Sequence, residues 1–287
     1  MGHNCRMPLP TVLIIGAMKA GTTSLYMDLV GHPQVFMSGD KEPHVLCTDE
    51  VLSPSGLAQY EAIYAKAGEN QICCDASTGY SKRPDIEGVA ERAVRVLPAD
   101  FKVIYVVRHP IDRIISQHHH EHFEGHVGPS IDEEVRRHPR YVQYSRYRYQ
   151  LEPWLAAVGL PRIQVIRFED YIAARREVVE SVLEFVGLRP ENGLPTEQRV
   201  YNKSRDKPVK GPFWNFIQHH PFYRRYLRPF APPKLRLAVR DAVLSRAKAT
   251  LAPPQSETIA YLRQSLVEDA HGLSDSLKMD RPMWPDF

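Results

Sequence analysis

The chain has 287 residues, 43% hydrophobic and 25% charged, a balance that excludes disordered and fibrous classes and leaves room for a large core. Its formal net charge of +3 is too mild for a nucleic-acid surface and fits a local anionic site better. The four cysteines, Cys5, Cys47, Cys73 and Cys74, form no CxxC pair; they read as reduced thiols of a cytoplasmic protein, without a disulfide frame or a structural zinc site.

The first apolar run, residues 11–15, is far too short for a bilayer span and lacks a secretory signal pattern, so no stable membrane anchor is expected. It is β-branched and passes through Gly16-Ala-Met-Lys-Ala-Gly21 into a helical stretch at 22–29. That is the strand, tight loop and helix that open a buried parallel sheet. A short apolar piece at 71–74 marks another strand end. Residues 88–97 form a helix stopped by Pro98, and 101–107 form the next strand, followed at Pro110 by a helix that carries Ser116. The last strand falls at 163–168, with a helix at 175–186 that ends on Gly187. Together these predict an α/β fold with an open, mostly parallel sheet flanked by helices. Ligands of such sheets bind at the carboxyl ends of the strands, so the loops after Ile15, Cys74 and Val107 are the places for a site. Beyond Gly187 the chain turns basic and aromatic, and neither repeats nor low-complexity segments occur.

A loop between a buried strand and a helix aims backbone N–H groups at an anion. Here Gly16 and Gly21 allow the turn, Thr22, Thr23 and Ser24 add hydroxyls, and Lys19 adds a charge. A nucleotide kinase would place lysine directly after the last glycine; Lys19 instead stands two residues before Gly21. That placement resembles the 5′-phosphosulfate loop of the sulfotransferases that use 3′-phosphoadenosine 5′-phosphosulfate (PAPS), a P-loop-like fold. The resemblance continues at Arg108-His-Pro-Ile-Asp-Arg113-Ile-Ile-Ser116, similar to that family's 3′-phosphate motif. A guanidinium fork and a hydroxyl suit phosphate oxygens.

By this resemblance the nucleotide is held by Ala17, Lys19, Ala20, Gly21, Thr22, Thr23, Ser24, Arg108 and Ser116. Tyr201, Lys203, Arg205, Lys210 and Gly211 stand for the family's basic nucleotide loop. Lys41-Glu-Pro-His44 resembles a segment of the glycan O- and N-sulfotransferase branch, which makes Glu42 the general base; Lys19 stabilises the leaving phosphate oxygen. Asp75-Ala-Ser-Thr-Gly-Tyr80 resembles the same branch's Glu-Lys-Ser/Thr-Pro-x-Tyr, except that Ala76 replaces a lysine; Lys82 or Arg83 are candidates to replace it. Asp75 and His44 are the rival bases. Glu42, Ser77, His118 and Tyr144 are the acceptor-binding candidates.

The resemblance implies PAPS as donor and PAP as product, no metal, and a hydroxyl of a carbohydrate, lipid or secondary metabolite as acceptor, with a homo-oligomer left open. It implies one domain over 1–287, with a core at 8–210 and a helical segment at 211–287 that could cover the acceptor. The rival readings are a PAP- or PAPS-binding protein without transfer, for which Ala76 leaves room, and a nucleotide kinase, which the place of Lys19 disfavours; on one helix His122 could also pair with His118 or with His119 at a metal.

Overall fold

The computed structural model describes residues 8–39, 41–190 and 251–287. Their elements run β1 (Val12–Gly16), α1 (Thr22–Val30), β2 (Val35–Met37), α2 (Pro54–Tyr64), β3 (Ile72–Ala76), α3 (Val89–Val96), β4 (Lys102–Val107), α4 (Pro110–Phe123), α5 (Ile131–Arg137), α6 (Arg140–Gln143), α7 (Tyr147–Val158), β5 (Ile163–Arg167), α8 (Phe168–Ala173), α9 (Arg175–Val186) and α10 (Ser256–Ser276). Two compact units result: one holds the described residues up to Arg113, 142–190 and Leu262–Phe287, and the other Ile114–Tyr141 and 251–261.

The first unit contains the sheet, in the order β2-β3-β1-β4-β5, with every pair parallel. A parallel strand covered on both faces needs apolar side chains on both, which is why β1 and β4 read as unbroken runs. Leu13, Ile14, Ile15, Val103, Ile104, Tyr105 and Val107 are all 0% exposed. Two findings go beyond the sequence reading. β2 is a three-residue edge strand, too short for any periodicity, and β3 extends past Cys74 to take in Asp75 and Ala76. At 168 the chain is already helical, so β5 stops one residue early.

Helix ends follow local chemistry. Ser53 caps α2 by accepting from the Gly56 N–H at 3.0 Å, with Pro54 in the first helical position. α9 ends on left-handed Gly187, and the Leu188 N–H returns to the Leu183 carbonyl at 2.8 Å, a Schellman closure. In the second unit Ser130 caps α5, its side chain accepting from the Glu133 N–H, and Ile131, Val135 and Tyr141 are buried. No helix among the described residues is long and apolar enough to cross a membrane.

Candidate active site

The strand order reverses direction at β1, between β3 and β4, and the loops that leave the carboxyl ends of β1 and β4 lie together there. The Ala17 N–H donates to the Val106 carbonyl at 2.6 Å. Gly16 has φ 146° and Gly21 φ 92°, conformations that L side chains avoid. A Cβ on Gly21 would fall 2.6 Å from the Phe168 ring, and one on Gly16 would fall 2.1 Å from Ser81 Oγ. Gly21 is the N-cap of α1 and brings no side chain to cap it, so the first-turn N–H groups of Thr22 and Thr23 are left for a ligand. Ala17, Ala20, Thr22 and Ser24 are buried around the loop.

Arg108 leaves β4 beside this loop. Its guanidinium lies 5.0 Å from the centre of the Phe168 ring, and Nη1 reaches the Lys19 carbonyl at 3.5 Å. Tyr147 fixes the backbone of Arg108, donating to its carbonyl at 2.7 Å and accepting from its N–H at 3.3 Å. Glu169 accepts from the His109 N–H at 2.8 Å.

The 41–47 segment crosses the end of β3. The Glu42 N–H donates to the Ala76 carbonyl at 3.1 Å, the backbone of the residue that stands in the lysine position. Glu42 Oε1 meets Lys41 Nζ at 2.6 Å. Its Oε2 accepts from Thr78 Oγ1 at 2.9 Å and faces His44 Nε2 at 3.3 Å. Burial pushes the Glu42 carboxyl up, but bonds from His44, Lys41 and Thr78 and the Lys41 charge prevail and hold it at about 2. The Cys47 thiol and Glu42 together push His44 up to about 9, against the effect of burial. Lys19, Glu42 and His44 all have positive φ, at 69°, 65° and 57°. Strain of this kind persists only where the surroundings impose it, and it gathers at functional sites.

Asp75 anchors this arrangement from below. It is 0% exposed and accepts from Ser77 Oγ at 2.8 Å, Tyr60 OH at 2.8 Å and Tyr80 OH at 2.7 Å. Burial pushes its carboxyl pKa up despite those three bonds. Ser77 in turn accepts from the His44 N–H at 3.1 Å, and Tyr80 OH accepts from the Leu46 N–H at 3.3 Å. Two residues that the sequence reading passed over, Tyr60 and Arg92, therefore shape the site, together with Tyr80, which it named only as the end of a motif. Arg92 Nε donates to the Leu46 carbonyl at 2.7 Å, and Nη2 donates to those of Cys47 at 3.2 Å and Glu87 at 2.5 Å.

The other predicted residues are placed differently. Arg83 donates to the Tyr149 carbonyl and to Glu87, and Lys82 Nζ lies 6.0 Å from the Tyr144 ring. Tyr144 OH donates to Asp85. Ser116 and His118 lie on α4 in the second unit. His118 Nε2 and His122 Nδ1 donate to the carbonyls of Gly128 and Val127 at 3.0 and 3.1 Å, which holds a loop. Among the described residues no group of three or more His, Cys, Asp or Glu could hold a metal ion. Tyr201, Lys203, Arg205, Lys210 and Gly211 lie outside the described residues.

A parallel sheet with a phosphate-type loop at its switch point defines a nucleotide-binding α/β protein. The family described as Sulfotransferase domain matches residues 9–212, and the chain belongs to that family. It is 27% identical over 190 residues to heparan sulfate glucosamine 3-O-sulfotransferase 3A1 of Mus musculus, covering 63% of this chain and 46% of that protein. It is also 27% identical over 194 residues to heparan sulfate glucosamine 3-O-sulfotransferase 6 of Homo sapiens, covering 64% of this chain and 54% of that one. The chain thus spans about half the length of the curated relatives it matches. A sulfotransferase structure from Alicyclobacillus acidocaldarius aligns with a TM-score of 0.64 at 19% identity, over 96% of this chain and 98% of that one, and shows the same fold.

Proposed function

We propose that the protein transfers a sulfuryl group from PAPS to a hydroxyl of a glycan or small-molecule acceptor and releases PAP. The observation that carries this reading is the approach of Arg108 to the Lys19 loop at the β1–β4 switch point. The uncapped start of α1 and the Thr22, Thr23 and Ser24 hydroxyls suit the 5′-phosphosulfate. Arg108 suits the 3′-phosphate. When bound, PAPS supplies the sulfuryl group and a good leaving phosphate.

Lys19 places its charge where negative charge grows on the departing oxygen. Glu42 is ionised throughout the neutral range, so it is ready to accept the acceptor proton. With a proton affinity set by about 2, it is a weak base until an acceptor hydroxyl displaces Lys41 or His44 from it; the burial that then dominates makes it a stronger one. Asp75, enclosed by three hydroxyls, acts as a positioning residue and does not meet the acceptor. The relatives' heparan sulfate acceptors support a sugar hydroxyl as the target.

Calorimetry tests the nucleotide assignment: Arg108→Ala weakens PAP by roughly 30- to 150-fold, the loss of a charged hydrogen bond, and leaves adenosine 5′-phosphosulfate nearly unaffected. Equal losses for both ligands would remove the 3′-phosphate role. Glu42→Gln lowers turnover by roughly 10²- to 10⁴-fold while PAP binding persists. Persistent PAP binding without transfer to any acceptor by the unmodified chain would favour a binding protein.

A further inference from the structure

The Glu42–His44 pair continues to a third group. While His44 Nε2 faces Glu42 at 3.3 Å, Nδ1 of the same ring lies 3.9 Å from Cys47 Sγ, so one imidazole bridges a carboxylate and a thiol. Cys47 is partly exposed, whereas Cys73 and Cys74 are buried. Burial pushes the Cys73 thiol up to about 11 and that of Cys74 higher still. Gly79 forms the wall of the pair: a Cβ there would fall 2.6 Å from His44 Nδ1 and 2.9 Å from Cys47 Sγ. The Arg92 fork holds the Leu46 and Cys47 carbonyls, so the turn presents the sulfur in a fixed place. Glu42 and Cys47 face the His44 ring, buried Asp75 acts on it from below, and Lys41 faces Glu42 from its other oxygen.

We infer that Cys47 is a modification site for soft electrophiles and low-molecular-weight disulfides, its thiol activated by His44 and joined through that ring to Glu42. With an alkylating agent the sulfur forms a bond to carbon as the carbon–halogen bond breaks; halide leaves and the thiol proton stays on His44. With a small disulfide the thiolate attacks one sulfur and a mixed disulfide forms; the other sulfur leaves as a thiolate that takes up a proton. A second thiol reverses the exchange. An adduct has no room on the Gly79 side and displaces His44 from Glu42. The loss of turnover that this displacement would bring rests on the sulfotransferase reading, whereas the reactivity of the thiol does not.

The test is pulsed iodoacetamide labelling of the full chain from pH 6 to 9.5, with peptide mapping to separate Cys47 from Cys5, Cys73 and Cys74. Cys47 is expected to label at least tenfold faster than the buried Cys73 and Cys74 across that range. In His44→Gln Cys47 labels more slowly at every pH of the series, and oxidised glutathione adds one reducible adduct to Cys47 of the unmodified chain. Gly79→Ala, which crowds the same pair, is a second variant that slows Cys47 labelling. Labelling of Cys47 no faster than the buried thiols, or a profile unchanged by His44→Gln in a protein of unaltered circular dichroism, overturns the inference. Because no transfer is measured, these outcomes are independent of whether the protein proves to be a sulfotransferase.

Discussion

Tyr60 and Tyr80 donate to the same Asp75 oxygen, at 2.8 and 2.7 Å, and are 0% and 2% exposed, so paired substitutions isolate what only one of them does. Tyr60→Phe removes a hydrogen bond to a carboxylate, which costs roughly 1.5–3 kcal/mol. Tyr80→Phe removes an equivalent bond and also leaves the N–H of fully buried Leu46 without its 3.3 Å acceptor, a further cost of roughly 1–3 kcal/mol. Tyr80→Phe is therefore the more destabilising of the two by about 1–3 kcal/mol. The midpoint of urea unfolding reads this difference, provided that both variants keep the parent slope. Amide exchange at Leu46 quickens in Tyr80→Phe and stays protected in Tyr60→Phe. Equal midpoint shifts, or a larger shift in Tyr60→Phe, would refute the idea that Tyr80 ties the 41–47 segment to Asp75.

Gly21→Ala combines a left-handed backbone penalty of roughly 1–2 kcal/mol with displacement of the Phe168 ring against Arg108; a lowered Tm and weakened PAP binding are expected together. Arg92→Lys keeps the charge but loses the fork that spans several carbonyls; the expected loss is roughly 2–4 kcal/mol, with faster proteolysis at the 46–49 turn. The stability that His44 contributes is complete below its ordinary value of 6.5 and is lost as pH rises through about 9, because its pKa is raised on folding. The gap between the parent and His44→Gln in urea midpoint therefore narrows across that window. The ring is 42% exposed, so screening limits the gap to about 1 kcal/mol or less.

The loop that joins β1 to α1, and the place of Arg108 at the end of β4, were legible in the sequence because their signals are local. Gly16, Lys19, Gly21 and the hydroxyls follow one another along a single strand, loop and helix, and Arg108 sits where an apolar run ends. The surroundings of Glu42 and Asp75 depend on contacts across the chain. Asp75 looked like a loop carboxylate and a rival base, since nothing near it in sequence announces that Tyr60, Ser77 and Tyr80 enclose it within a strand. Arg92 belonged to an ordinary amphipathic helix until its partners near 46 and 87 were in view. His118 and His122 have the spacing of a metal pair, but their partners are loop carbonyls, which carry no sequence signature.

The left-handed backbone at Lys19, Glu42 and His44 sets activity against durability. Glycine at Lys19 would relieve roughly 1 kcal/mol of strain while removing the side chain on which the proposed chemistry depends, whereas at 42 and 44 it would also remove the Glu42–His44 and Glu42–Thr78 contacts. A library of variants screened only for heat resistance should therefore enrich glycine at position 19 and yield proteins that are tougher and inert. Sorting the same library for sulfate transfer should retain the strained residues.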